Sequence, residues 1–375
     1  MRRIKLKLHV FGSSLLSSYW NGAATYYRGI YKYLHDRSHE IVFYEPDAFE
    51  RQRHRDIERA PYATSVIYRN HAELERCLAA AAQADVLIKH SGIGVEDAFL
   101  DGALIEAARA AGEHRRLAVY WDVDSPATLS DLWSRRDARL LKCLPDYDLV
   151  LTYGGGARVI REYLALGARA CYPIYNGLDP ETHFPVSPDS RWRAKMSFLG
   201  HRLPDREERV QRFFFQTARA LPQFSFLLGG EGWRDLPMPA NVIYAGHVGC
   251  ADHNVANSSA ETVLNINRSS MADYGYSPPT RIFEAAGAAA CVISDHWDGL
   301  EQFFSPGEEI FQIEDRLQLQ SLLQTLTPER ARQMGERMHR RALLEHSYEQ
   351  RARQAESILI RRGARPHRPW LIEAA

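Results

Sequence analysis

The sequence predicts an α/β protein built from two doubly wound, Rossmann-like domains in tandem, and three observations carry that prediction. At 375 residues the chain is too long for one ordinary hydrophobic core and suits two domains. Short runs rich in Val, Leu and Ile alternate with stretches of helical length, the pattern of parallel strands joined by crossover helices. Midway, a turn-rich stretch from Tyr172 to Pro185 breaks this alternation with three prolines and a glycine, after which it restarts.

Taken in order, residues 4–11 read as the first strand, followed by a small-residue loop at Gly12–Ser18 and a helix over 22–36. Apolar runs at 40–44, 64–68, 85–89, 117–121 and 148–152 supply further strands. The helices between them fall near 71–83, 96–112, 134–142 and 156–167. Beyond the connector, strands are expected at 196–199, 224–228, 241–245, 262–266 and 291–294, with helices at 206–220, 251–257, 279–288 and 316–325. A single long helix over 328–362 closes the chain. The domains are therefore placed at 1–175 and 176–375, the last helix returning to the N-terminal domain. In such folds ligands bind beyond the carboxyl ends of the strands, here in a crevice that the two domains are expected to face.

Composition narrows the function. Lys plus Arg and Asp plus Glu number 47 each, so no basic field marks a nucleic-acid binder. The N-terminus alternates charged and apolar residues rather than forming a signal peptide, and no apolar run approaches the roughly 20 residues that span a bilayer. Five scattered cysteines, with no CxxC pair, fit thiols in a reducing compartment, and a cytoplasmic location is expected. The basic tail 361–370 reads as a solvated end.

Three motifs bear on chemistry. Asn21-Gly22 opens the first helix, where a residue without Cβ lets backbone N–H groups approach an anion, although any βα turn uses glycine for geometry alone. No GxGxxG is present, which counts against a dinucleotide-dependent dehydrogenase. After the strand ending at Gly200 come Arg202 and Arg206 at a helix start, guanidinium forks suited to a diphosphate; Asp205, Glu207 and Glu208 alongside also fit a solvated helix start. Downstream of Pro278-Pro279, Arg281 and Glu284 share one helix face, either as a phosphate and hydroxyl-binding pair or as an internal ion pair.

The order of these pieces resembles the GT-B glycosyltransferases, and the C-terminal half resembles the CgeB-like (spore maturation protein-like) group. Asn21-Gly22 with His39-Glu40-Ile41 resembles the N-terminal frame of that fold, and Asn176-Gly-Leu-Asp-Pro-Glu-Thr-His-Phe-Pro185 its interdomain segment. Gly200-His-Arg202-Leu-Pro-Asp-Arg206 resembles the phosphate loop; Arg281-Ile-Phe-Glu284-Ala-Ala-Gly and Pro306-Gly-Glu-Glu-Ile310 resemble the donor helix and the segment after it. The resemblance implies that Glu284 holds the donor ribose and that Arg202 and Arg206 lie near the diphosphate. It also puts His90 near the donor sugar and His247 near the base. Two departures stand out: Tyr276 occupies the position where retaining relatives carry a second glutamate, and Arg206 stands where many have lysine.

Asp122 and Asp124, after the strand 117–121, are candidates for the general base that takes a proton from an acceptor hydroxyl, or for turn-capping residues. The expected activity is transfer of a sugar from a nucleoside diphosphate sugar to an acceptor hydroxyl. Asp122, Asp124 and His90 serve catalysis, and Arg202, Arg206, Arg281, Glu284, Gly22, Tyr276 and His247 bind the donor. A nucleotide-sugar epimerase and a non-catalytic sugar- or nucleotide-binding component of a coat or envelope assembly remain as alternatives. No cofactor and no metal are expected, since the sequence holds no HExxH and no paired-ligand helix.

Overall fold

The structure, a computed structural model, describes residues 4–110 and 116–363. The chain divides into two compact units, Met1–Tyr175 with Tyr348–Ala375, and Asn176–Ser347. Among the described residues no helix is long and apolar enough to cross a membrane.

The first unit runs β1 (Lys7–Phe11), α1 (Ala24–Asp36), β2 (Glu40–Pro46), β3 (Thr64–Tyr68), α2 (His71–Ala81), β4 (Val86–His90), α3 (Asp97–Arg109), β5 (Leu117–Asp122), α4 (Ser125–Trp133), α5 (Ala138–Cys143), β6 (Leu149–Thr152), α6 (Gly156–Ala165) and β7 (Cys171–Pro173). All seven strands are parallel, in the order β3-β2-β1-β4-β5-β6-β7. Every residue of β4 and β5 is buried, which is why these strands read as continuous apolar runs rather than alternating ones.

Three features of this unit depart from what the sequence predicts. The connector expected from Tyr172 begins inside a strand: β7 is the edge of the sheet, where Pro173 costs no ladder bond. The residues after Asp122 form α4 rather than an open turn. Pro126 sits in its first turn, a position where the missing N–H is an orphan donor in any case. The expected helix 134–142 is the shorter α5, whose cap Asp137 accepts from Leu140 N at 3.0 Å.

The second unit continues with β8 (Met196–Leu199), α7 (Pro204–Val210), a π-helical turn at Gln211–Phe215, α8 (Gln216–Ala220), β9 (Phe226–Gly229), β10 (Val242–Gly246), α9 (Cys250–Ser259), β11 (Thr262–Asn265), α10 (Ser269–Tyr274), α11 (Thr280–Gly287), β12 (Val292–Asp295), β13 (Phe311–Ile313), α12 (Arg316–Thr325) and α13 (Pro328–Glu345). Its parallel sheet has the order β10-β9-β8-β11-β12-β13. Phe198, Phe214, Phe226, Leu228, Trp233, Leu264 and Ile293 fill its core.

The long closing helix is not one helix. Leu178 donates its backbone N–H to His346 O at 2.8 Å and bridges to Ser347, which draws that carbonyl out of the helical ladder. The chain breaks there, and α14 (Tyr348–Arg361) belongs to the first unit. It packs on α1 so closely that a Cβ on Gly29 would lie 2.2 Å from the Tyr348 ring. A polar clamp fixes the pair. His39 Nδ1 accepts from Leu6 N at 3.1 Å, so its proton sits on Nε2 and is donated to Glu356 Oε1 at 3.0 Å. Arg37 donates to the other oxygen of Glu356 at 2.8 Å. His39, read as part of a sequence frame, is thus a tether. The tail beyond residue 363 and the end of the helix expected to 112 fall largely outside the described residues.

Candidate functional site

In the second unit the strand order reverses direction between β8 and β11, so the loops after these two strands diverge at the strand tips, the place where doubly wound sheets take their ligands. Gly200 lies at that point. Its N–H donates to Gly229 O at 2.8 Å and its carbonyl accepts from Trp233 Nε1 at 2.7 Å. Gly230 passes against it with φ +118°, where a Cβ would lie 2.3 Å from Gly200 O; only glycine fits.

Two guanidinium groups converge on Gly200. A Cβ there would lie 2.8 Å from Arg281 Nη2 and 3.0 Å from Arg206 Nη2. Both stand over the Phe198 ring, with guanidinium carbons 5.2 and 5.5 Å from its centroid. Arg281 donates to Leu199 O and to Asn265 Oδ1, and Arg206 donates to His201 O. Among the described residues neither arginine forms an ion pair, and Arg206 Nε, in a side chain that is 7% exposed, has no hydrogen-bond partner. Burial, then Arg281 and Arg268, pushes the Arg206 guanidinium down to about 9. Burial lowers Arg281 as well, against the opposing pull of Glu284 and Asp295. Two desolvated cations side by side are costly, and an anion between them would offset that cost.

The neighbouring cations are already engaged. Arg268 is paired with Asp205 at 3.0 Å, and Arg202 with Glu207 at 2.6 Å. The expected pair Arg202 and Arg206 is therefore unequal, and the structure brings Arg281 rather than Arg202 next to Arg206. The internal Arg281–Glu284 ion pair is not formed. Glu284 instead faces His253, with 3.9 Å between its Oε2 and Nδ1, and His183 completes the group; their ligand atoms all lie within 4.8 Å of one another. No local pattern marks this cluster, because its members come from a loop, α9 and α11.

His247 is exposed at the end of β10 and lies parallel to His201, with centroids 6.2 Å apart and planes 7° apart. Tyr276 precedes Ser277-Pro278-Pro279 with φ +49°, an unusual backbone for a bulky residue, and its N–H donates to Asp298 O at 2.6 Å. Its ring packs on Gly299, where a Cβ would lie 2.2 Å away.

In the first unit Gly22 is exposed before α1, with nothing within 4 Å of a Cβ built there. His90 is a core residue. Its Nδ1 bonds Trp121 O at 3.1 Å, so its Nε2 accepts from the Tyr31 hydroxyl at 2.6 Å. It packs against the rings of Tyr27 and Trp121. Burial lowers its pKa to about 3, opposed by the Trp121 carbonyl. A neutral ring with both nitrogens occupied fits a satisfied structural histidine rather than a group meeting substrate. Next to it Lys89, 2% exposed, pairs with Asp97 at 2.9 Å and Asp101 at 2.8 Å. Burial opposes its charge, but the two carboxylates outweigh burial and raise its pKa.

Asp122 is wholly buried. One oxygen accepts from Ser91 Oγ at 2.7 Å, Asp124 N at 2.9 Å and Thr128 Oγ1 at 3.0 Å; the other accepts from Tyr163 OH at 2.5 Å. Four donors and no exposed surface make it the knot that ties together the ends of β4, β5 and α6. Asp124, half-buried at the start of α4, retains contact with solvent. Asp122→Asn is expected to lower stability by about 1–3 kcal/mol, the cost of disturbing satisfied buried donors, with nucleotide binding unchanged. Chemical denaturation and a binding titration check both parts.

Comparison with known proteins agrees with this architecture. Residues 206–357 match the family described as glycosyl transferase-like. No curated protein sequence matches the chain. Among solved structures, the Anabaena protein HepE in complex with UDP-glucose is similar over 95% of this chain and all of its own, at 14% identity and a TM-score of 0.67. An α-glucosyltransferase in complex with UDP-glucose and DNA containing an abasic site matches with a TM-score of 0.68 and 12% identity, over 95% of this chain and all of its own. Sucrose-phosphate synthase from Thermosynechococcus elongatus matches at 0.63 and 13%, over 95% of this chain and 98% of its own. The two parallel-sheet units are those of the GT-B glycosyltransferase fold.

Proposed function

We propose that this protein is a cytoplasmic, metal-independent glycosyltransferase of the CgeB-like group that moves a sugar from a nucleoside diphosphate sugar to an acceptor hydroxyl. The observation that carries the reading is the pair of arginines, Arg206 buried and Arg281 half-buried, which meet at Gly200 without a carboxylate partner. A diphosphate placed there accepts from both forks, and its charge is neutralised further as the bond to the sugar breaks. Glu284, one turn into α11, accepts from the vicinal hydroxyls of the ribose, with His247 at the base and Tyr276 shaping the loop before the donor helix. The N-terminal unit serves the acceptor, with Gly22 at an open helix start and Asp124 in place of Asp122 as the carboxylate that takes the hydroxyl proton. Buried free thiols at Cys77, Cys171 and Cys291 support a reducing compartment.

Incubation with a panel of nucleoside diphosphate sugars, beginning with UDP-glucose, is expected to release nucleoside diphosphate in the presence of acceptor and of chelator. Sugar interconversion without acceptor would instead assign an epimerase, and turnover strictly dependent on added manganese would overturn metal independence. Glu284→Gln is expected to weaken nucleotide binding by about 1–3 kcal/mol with the fold retained, because no ion pair to Arg281 is lost. Unchanged affinity removes Glu284 from the site.

A further inference from the structure

We propose that His183, His253 and Glu284 form a binding site for a divalent transition-metal ion of the zinc class, and that this ion competes with the nucleotide for Glu284. The competition rests on the nucleotide reading above; the metal site itself does not.

The three groups reach one place from three elements, and bonds that leave their ligand atoms untouched hold them there. His183 ends a tight turn in which its N–H donates to Asp179 O at 2.9 Å. That turn is fastened to α9 by Asn254, which donates to Thr182 O at 2.9 Å and accepts from Phe184 N at 3.3 Å. Against α11 the approach depends on Gly287, where a Cβ would fall 2.7 Å from both Cβ and O of His183. His253, on α9 beside Asn254, and Glu284, one turn before Gly287, complete the set.

The side chains themselves are unused. His183 is 5% exposed, and among the described residues neither its ring, nor that of His253, nor the carboxylate of Glu284 makes a hydrogen bond; they meet through the 3.9 Å approach of His253 to Glu284 and the tilted His183 and His253 rings, centroids 6.2 Å apart.

Two imidazoles and one carboxylate are a zinc-class donor set, whereas magnesium and calcium prefer oxygen ligands alone. Ligand bonds of roughly 2.0–2.2 Å in a tetrahedron put donor atoms about 3.4 Å apart. The present separations, all within 4.8 Å, are close to that spacing, and rotation of the side chains is the movement by which they would close on an ion. Three protein ligands leave a fourth position for water. An ion held there occupies the carboxylate that the ribose hydroxyls require, so it acts as an inhibitor rather than as a catalytic group.

The test uses the full chain freed of metal by chelator and titrated with cobalt(II), whose tetrahedral complexes absorb visibly. One equivalent is expected to bind saturably and to be displaced by zinc. His183→Gln and His253→Gln, which keep side-chain bulk, are each expected to weaken binding by at least about tenfold. Absence of saturable cobalt binding, or binding as tight as wild type in both variants, overturns the site. Transfer by the metal-free protein is expected to fall on adding zinc, and His183→Gln is expected to resist that fall. Equal inhibition of wild type and variant overturns the competition, since zinc would then act on the free nucleotide. Nucleotide binding by the metal-free chain is measured separately, so failure of the nucleotide reading is seen as loss of that signal alone.

Discussion

Arg206→Met is expected to weaken binding of nucleoside diphosphate by about 1.5–3 kcal/mol, roughly 10–150-fold, the scale of hydrogen bonds to a charged group. Binding of the corresponding nucleoside is expected to change little, because only the diphosphate meets the guanidinium. The sign of the stability change separates this role from a structural one. Arg206 is a desolvated cation with no ion-pair partner and an unbonded Nε, so an apolar side chain of similar length relieves a cost in the ligand-free protein. The free variant is expected to unfold at the same or a higher denaturant concentration than wild type. A thermal-shift series with diphosphate and with nucleoside, alongside denaturant unfolding, reads all three quantities. Equal weakening of both ligands together with a less stable free protein identifies Arg206 as structural and withdraws the diphosphate assignment.

Glu356→Ala is expected to destabilise the first unit by about 3–5 kcal/mol, the range for removing one partner of a buried charged cluster. The substitution leaves Arg37 without its carboxylate and the Nε2–H of His39 without an acceptor, in a layer where Glu356 is 8% exposed. On the proposed reading the nucleotide binds the other unit, and that binding is expected to persist at denaturant concentrations where the first unit has opened. Hydrogen exchange at the amides of β4 and β5, and nucleotide-dependent protection of the second unit, distinguish the two transitions. A single unchanged transition would show that the clamp contributes nothing measurable.

The strands were readable because a doubly covered parallel sheet buries every position, leaving uninterrupted apolar runs such as Leu117–Trp121. Short elements were missed where one residue carried two meanings. Ser125-Pro126 reads equally as a turn and as a helix start, and Pro173 as a breaker and as an edge residue. The break between α13 and α14 left no local mark, since it is made by Leu178, far away in sequence. Candidate site residues followed the same division. Arg206, Arg281 and Glu284 drew attention by their place after strand ends and at helix starts, and the structure brings the first two together at Gly200. Asp122 and His90 sit at equally suggestive strand ends, and only their hydrogen-bond partners show them to be internal supports. The imbalance between Arg202 and Arg206 depends on whether Glu207 reaches the guanidinium, a matter of side-chain direction that spacing leaves open.

The return of α14 to the first unit also sets an order of events during synthesis on the ribosome. Residues 176–347 leave the exit tunnel before Tyr348, so the second unit has its whole sequence available while the first still lacks its final helix. Until then the surface of α1 around Gly29, with Tyr26, Tyr27 and Ile30 in the shared core, has nothing to cover it. The half of the protein translated first is therefore the last to be completed, and a nascent chain halted before residue 348 presents an aromatic, chaperone-accessible face that the finished protein hides.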